Sequence, residues 1–433
     1  MDVFIQPTKL SGTVLVPPSK SMAHRAIIAA ALADGESVVY NIQLSDDIKA
    51  TLSAIEALGA TVQTKEDGDR LVVTIQGIDR SKAVAKREID AIESGSTLRF
   101  MIPISTLVKG ETVFRGRGKL GIRPLDTYSE IYMDQGLTFD LVSQTPLELQ
   151  TSGELTSGTY QMVGNVSSQF ITGMLYTLPL LEGDSKIEIT TPLESIGYID
   201  LTLDVLRQFG IEIDYDANEN IFHIPGNQQY LAREYTVEGD YSQAAFFLAA
   251  GALGNDVTLT GLLSDSDQGD REMVDILERM GCVISDENGE IRVDGSNLHG
   301  DLTIDGSQIP DIIPILSTVC ALAPGKTIIE NLERLKIKES DRLEATRKEL
   351  ATIGADIEVV GDSLHIQGVK ELKGDATTWS HKDHRIAMML GIASTVCLES
   401  IVVTDGECVN KSYPTFWQDF TKLGGRIDER NMG

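Results

Sequence analysis

Basic residues are scarce in this chain. Across 433 residues, 37 lysines and arginines stand against 65 aspartates and glutamates, a net charge of −28. Such a surface repels polyanions, so no nucleic-acid partner and no anionic membrane surface is expected. Cysteine is scarcer still: Cys282, Cys320, Cys397 and Cys408 form no CxxC pair and no framework spacing. That argues against a zinc module or a disulfide scaffold and for buried thiols in a reducing compartment. Long apolar runs are missing as well. Ile312 to Ala323 stops short of the roughly 18 residues that a membrane span needs. The opening MDVFIQPTKLSGTV has no basic stretch leading into an apolar one, so no secretory leader is read there and a cytoplasmic location is expected. Nor does any Ser/Gly-rich or Pro-rich stretch offer a flexible linker.

What the chain has is length and repetition. At about 150 residues per domain it suggests two or three domains, each able to bury its own core. One phrase recurs six times: LSAIEALGATV, SEIYMDQGLTF, LDVLRQFGIEI, VDILERMGCVI, RKELATIGADI and QDFTKLGGRI. Each reads as the end of an amphipathic helix, a glycine, then a strand. The glycines, Gly59, Gly136, Gly210, Gly281, Gly354 and Gly424, are 77, 74, 71, 73 and 70 residues apart. Each is expected just past its helix, where a positive φ carries no Cβ penalty.

Between these phrases lie a strand ending in glycine, a second helix and a further strand. The second helices are SKSMAHRAIIAAAL, SGSTLRFMIPI, SSQFITGMLYTL, DYSQAAFFLAAGAL, PDIIPILSTVCAL and KDHRIAMMLGIAS. Because the first of them precedes any complete repeat, one unit is split between the chain ends, with a first strand around Val3 to Val16 beside the C-terminal half. The expected fold is α/β, with three repeats per domain. The domains are residues 20–238, and 1–19 joined with 239–433, with crossings near Pro17 to Lys20 and Val237 to Asp240. A solenoid of six stacked units is the alternative, though its repeats are usually shorter.

Helix N-termini present unpaired N–H groups and a partial positive charge, which suit phosphate and carboxylate. Here several such ends carry hydroxyls and cations together: Lys20, Ser21 and Arg25; Ser94, Gly95, Ser96 and Arg99; Ser167, Ser168 and Gln169; His384 and Arg385. A serine cap beside a solvated charge would explain any one of them. Their equivalence within a repeat favours convergence on one polyanionic ligand. Two further basic clusters stand out against the acidic background, RGRGKLGIRP with Arg115, Arg117, Lys119 and Arg123, and RLKIKESDR with Arg334, Lys336, Lys338, Glu339, Asp341 and Arg342.

SKSMAHR, ESGSTLR, GIRP, SSQF, SIGYIDLTL, EGD, PD, KIKESDRL, DHRIAMM and NKSYPTFW follow one another along the whole chain, and this series resembles the enolpyruvyl transferase family. The resemblance implies an inside-out α/β barrel of two domains, each of three βαβαββ units around a helix bundle, with the active site in the cleft between the domains. It implies transfer of the enolpyruvyl group of phosphoenolpyruvate to the 5-hydroxyl of shikimate 3-phosphate, with loss of phosphate from a tetrahedral ketal. Proton transfer is implied for Lys20, Asp311 and Glu339. Phosphoenolpyruvate would be held by Lys20, Gly95, Arg123, Gln169, Arg342, Arg385 and Lys411, since guanidinium forks suit carboxylate and phosphate. Shikimate 3-phosphate would be held by Lys20, Ser21, Arg25, Ser167, Ser168, Gln169, Ser195, Tyr198, Asp311 and Lys338. No metal, no cofactor and a monomer are expected.

The chain departs from the family at Pro18, Glu93 and Arg334, where Gly, Asn and Asn are usual, and Arg334 is left out of the expected site for that reason. Asp311 capping the helix after Pro310, or Glu339 pairing with Lys338 at the surface, would be the plain structural roles. Among rivals, Gly116 to Gly121 satisfies GxGxxG with Asp140 further on, but the loop is crowded with cations and Pro124 follows at once. APGKT lacks the first glycine of a phosphate loop. HKDH has two histidines and an aspartate but no further ligands. Transfer to UDP-N-acetylglucosamine would go with a cysteine in the basic loop, and none precedes residue 282. A non-catalytic scaffold binding anionic partners would have no use for Asp311 and Glu339 beside the cations.

Overall fold

The structure, a computed structural model, describes residues 1–430. Five of the six recurrent phrases form helix, turn and strand as expected, whereas in LDVLRQFGIEI the strand starts only beyond the phrase, at Asp214. The helix Asp46–Ala57 begins at Ser45, whose hydroxyl accepts from the Ile48 N–H, and carries Asp46 and Asp47 in its first turn, where negative charge suits the helix dipole. It buries Ile48, Leu52 and Ile55 on one face. Leu58 closes it, and Gly59 at φ +103° turns the chain into the hairpin Thr61–Asp67 and Arg70–Gln76. The five other phrase glycines also have positive φ.

The second helices are of another kind. Tyr241–Ala252 is buried at every residue, and Lys20–Leu32, Gly95–Ile104, Ser168–Thr177, Ile313–Leu322 and His384–Ser394 are nearly so. A helix that is apolar all round has to sit inside, and the alanines and glycines of AIIAAAL and AAFFLAAGA permit close approach. Tyr241–Ala252, Ile313–Leu322 and His384–Ser394 pack on one another, placing helices inside and sheets outside.

Six four-stranded sheets share one order. In one of them Lys86–Asp90 runs parallel to Glu111–Gly116, which is antiparallel to Leu147–Ser152, which is in turn antiparallel to Thr138–Gln144. This is a βαβαββ unit, with the parallel pair bridged by a buried helix and the hairpin following an amphipathic one. GRGKLG does not start a long helix: Glu111–Gly116 leads into the single turn Leu120–Ile122, and a Cβ on Gly121 would lie 2.1 Å from the Gln144 carbonyl oxygen. Close packing is what that glycine serves.

The chain divides into two compact units, one from Lys20 to Val237, the other Met1–Ser19 with the chain from Glu238 onward. Each has its own continuous core and three of the six sheets. The expected first strand is two strands, interrupted at Pro7, which has no N–H to give. Asp2–Gln6 pairs with Ile401–Thr404 and Arg426–Arg430, completing the last repeat, whereas Ser11–Leu15 lies parallel to Asp256–Thr260. Its counterpart Glu234–Thr236 lies parallel to Glu36–Ile42. The two strands that precede the crossings have thus exchanged sheets. Each stays in the unit the chain is leaving.

Candidate active site

In the unit that includes the C-terminal half, Arg342 organises the charges. It opens the helix Arg342–Thr352, for which the Asp341 carboxylate caps the Glu344 N–H. Its side chain is 1% exposed and is met by three carboxylates. Nε and Nη2 reach Asp383 at 3.0 and 3.2 Å, Nη1 reaches Asp311 at 2.9 Å, and Nη2 reaches Glu339 at 2.9 Å. Burial disfavours its charge, but Asp383, Glu339 and Asp311 outweigh that and raise its pKa. Asp383 itself is wholly buried. It accepts from the Ser340 hydroxyl and, as cap of the helix His384–Ser394, from the Arg385 N–H.

Asp311 is a quarter exposed, so this carboxylate can meet a ligand. Besides Arg342 it faces Arg385 Nη2 at 3.6 Å and Lys338 Nζ at 3.9 Å. Burial alone would push its carboxyl up, yet Lys338, Arg385 and Arg342 together hold it well below the usual carboxylate range. Lys338 moves the other way. Burial, with help from Arg334 and Arg342 against the pull of Asp311, brings its ammonium down to about 8. A charged carboxylate, an acceptor, thus stands beside an amine brought down to about 8, a proton donor closer to physiological pH than an ordinary lysine. Ile312, the cap residue of the helix Ile313–Leu322, makes no side-chain cap, and Glu339 pairs with Arg342. Lys411 closes the turn Gly406–Lys411, which packs on His384–Ser394.

In the Lys20–Val237 unit, Lys20 opens its helix and its Nζ pairs with the buried Asp47 at 2.8 Å. Arg25 lies beneath, spanning two helices: Nη1 donates to the Ser21 carbonyl, Nη2 to the Tyr198 carbonyl and Nε to the Thr202 hydroxyl. Burial lowers the pKa of this guanidinium, and the aromatic faces of Phe100 and Tyr198 flank it. Arg25 therefore fixes the start of the helix Ile196–Gln208, where Ser195 sits in the left-handed region at φ +55°. Ser94 caps the Thr97 N–H and Ser167 caps the Gln169 N–H.

Gln169 accepts from Arg99 Nη1 at 2.8 Å and donates to Ser96 Oγ at 2.9 Å. Arg99 also donates to the Pro124 carbonyl, next to Arg123. A Cβ on Gly95 would lie 2.7 Å from Arg123 Nη1, so the guanidinium rests on the bare glycine. Just ahead, Ile92 has φ +54°, a strained conformation for a β-branched residue. It is held by Asp90 on its N–H and Arg117 N–H on its carbonyl. Ser168 lies buried at the start of its helix.

The structure thus brings Asp311, Lys338, Glu339, Arg342 and Arg385 into one cluster in one unit. In the other, Gly95, Arg123 and Gln169 meet through Arg99 and Ser96, and Ser21, Arg25 and Tyr198 meet through Arg25. Reasoning from the sequence overlooked Asp47, which holds Lys20, weighed Asp383, which holds Arg342, only as a metal ligand in HKDH, and left out Arg334, which is close enough to depress Lys338. Asp383 was open to discovery, because it occupies the cap position filled by Ser94, Ser167 and Asp240 in equivalent helices. Among the described residues no group of three His, Cys, Asp or Glu side chains is placed to hold a metal ion.

With this geometry in view, the comparisons with known proteins agree in kind. The family model for EPSP synthase (3-phosphoshikimate 1-carboxyvinyltransferase) matches residues 5–420. A 3-phosphoshikimate 1-carboxyvinyltransferase of Clostridium beijerinckii is 54% identical over 432 residues, covering 99% of both chains. One from Clostridioides difficile is 52% identical over 438 residues, again with 99% coverage of each. The solved structure of an EPSP synthase from Acinetobacter baumannii superimposes with a TM-score of 0.80 at 26% identity, covering 99% of this chain and all of that one. On fold, repeat, motif order and identity over nearly its full length, the chain belongs to the EPSP synthase family of enolpyruvyl transferases.

Proposed function

We infer that this protein is an enzyme of aromatic biosynthesis that transfers the enolpyruvyl group of phosphoenolpyruvate to shikimate 3-phosphate and releases phosphate. The observation that carries the mechanism is Asp311, a charged, partly open carboxylate held among Arg342, Arg385 and Lys338. As the 5-hydroxyl oxygen of shikimate 3-phosphate bonds to carbon 2 of phosphoenolpyruvate, its proton passes to Asp311. The methylene carbon takes a proton from the Lys20 ammonium, or from Glu339 once that carboxyl is protonated, giving a tetrahedral ketal. Return of a proton from the new methyl group re-forms the double bond and expels phosphate. Positive charge develops at carbon 2 in both directions, and the carboxylates of Asp311 and Glu339 oppose it.

Arg123, Arg342, Arg385 and Lys411, with Gly95 and Gln169, hold phosphoenolpyruvate. Ser21, Arg25, Ser167, Ser168, Gln169, Ser195, Tyr198 and Lys338 hold shikimate 3-phosphate, and Lys20 touches both. The reading requires the residue sets of both units to act on one substrate pair, with water excluded while the intermediate exists. A single chain supplies them all, so a monomer suffices. Cytoplasmic residence is supported by the cysteines: all four are free thiols, and burial pushes Cys320, Cys397 and Cys408 up to about 12, so they stay inert. No described helix is long and apolar enough to cross a membrane.

The test is phosphate release from phosphoenolpyruvate with shikimate 3-phosphate, beside UDP-N-acetylglucosamine and a control without acceptor. Release dependent on shikimate 3-phosphate alone is the expected result. Release with the nucleotide sugar would overturn the acceptor, and release with neither would overturn the enzyme reading.

A further inference from the structure

The contacts around Asp311 continue past Arg385 to a carboxylate that the mechanism leaves unused. Arg385 Nη1 donates to the Ser242 carbonyl at 2.8 Å, and the Ser242 hydroxyl is hydrogen-bonded to Asp270. Asp270 lies in the single turn Gly269–Arg271 and is buried, as Arg385 is. The neighbouring Gln243 is wholly buried, with neither amide atom hydrogen-bonded among the described residues. A run of contacts thus leads from Asp270 through Ser242 and Arg385 to Asp311.

The charges facing Asp270 come from three elements. Asp311 precedes the helix Ile313–Leu322, Arg385 belongs to His384–Ser394, and Asp240 caps Tyr241–Ala252. Beside it in sequence, Arg271 Nε is bonded to the Ser264 carbonyl, and Glu272 opens the next helix. Burial first, then Asp311 and Asp240, raise the Asp270 carboxyl to about 7 against the hydrogen bond from Ser242 and the charge of Arg385. Arg385 is therefore a cation that favours the ionised form. An anion arriving on Arg385 competes for that attraction.

We propose that Asp270 is a proton-linked positioning residue for the anion subsite: through Ser242 it sets the Arg385 guanidinium, and it takes up a proton from solvent when phosphoenolpyruvate binds there. The proposal rests on Arg385 holding phosphoenolpyruvate. Its sign follows from linkage. The ionised carboxylate weakens anion binding, so kcat/KM for phosphoenolpyruvate carries a limb that falls as pH rises through about 7.

Asp270→Asn holds the neutral charge at every pH. Relative to wild type, its kcat/KM for phosphoenolpyruvate should rise by up to about tenfold for each pH unit above 7, the two enzymes lying close together at pH 6. Lys338 titrates in both and cancels in the ratio. A purely structural role would lower the variant's value by one factor at all pH, and parallel profiles would overturn the proposal. Ser242→Ala gives a second reading, needed if Asp270→Asn does not fold. It removes the hydrogen bond that lowers the Asp270 pKa, so the limb should move to higher pH, and an unmoved limb would overturn the proposal. Wild-type enzyme without phosphate release dependent on shikimate 3-phosphate would instead sink the assigned activity.

Discussion

Among single residues, Arg342 shows how this protein places a buried cation. A guanidinium taken out of water costs several kcal/mol unless carboxylates and hydrogen bonds replace the water, and here Asp383, Asp311 and Glu339 do so. Asp383 is wholly buried and holds two nitrogens, leaving the third edge of the fork for Asp311. Asp383→Asn should lower stability by about 3 kcal/mol and kcat/KM for phosphoenolpyruvate by about a hundredfold, the usual result of misplacing a clamp by an ångström. Burial would raise the Asp383 carboxyl, but Arg342 and then His384 prevail and hold it below its ordinary value. A depressed folded pKa stabilises above the unfolded value and is lost as pH falls through the folded one. Denaturant melts from pH 6 down to pH 3 should therefore show the wild-type advantage shrinking once pH drops below about 4.

At the scale of the element, the start of Gly95–Ile104 couples backbone to ligand. Arg123 lies against Gly95 because no Cβ stands there, and Gly95→Ala would push Nη1 from 2.7 Å contact. The far end of a side chain can give way, so the melting temperature should hardly change. Initial-rate kinetics should show KM for phosphoenolpyruvate raised about tenfold, an effect of roughly 1.4 kcal/mol, with KM for shikimate 3-phosphate little altered. Helices of this kind were legible in the sequence: cap, glycine and apolar run act within a few residues, so they leave a local pattern. So were the six repeats and the cationic helix starts. Short strands were not. Glu234–Thr236 and Thr303–Asp305 hold three residues each, too few for alternation, and their sheet is decided by pairing with residues far away in the chain. The carboxylates at 47 and 270 escaped notice, and the one at 383 was weighed only as a metal ligand, for a related reason. Each owes its role to a partner 27 to 41 residues away, and Asp next to Asp, Arg or Lys reads locally as a solvated charge.

On the scale of the whole molecule, the exchanged edge strands leave Lys20–Val237 with three complete sheets of its own. That segment, made as a separate chain, should give a single cooperative thermal transition by circular dichroism; a broad, non-cooperative loss of signal would show that complete strand pairing is not enough. The other unit is the one that waits. Asp2–Gln6 finds its partners at Ile401–Thr404 and Arg426–Arg430, about 400 residues later. At the usual 5–20 residues per second of synthesis the delay is roughly 20 to 80 s. During that time the first-made strand has no sheet to join while the middle of the chain can finish folding on the ribosome. The strand Asp2–Gln6 is thus made early and is among the last to find its place, which makes a nascent chain stalled before residue 400 the form most exposed to chaperones and to aggregation.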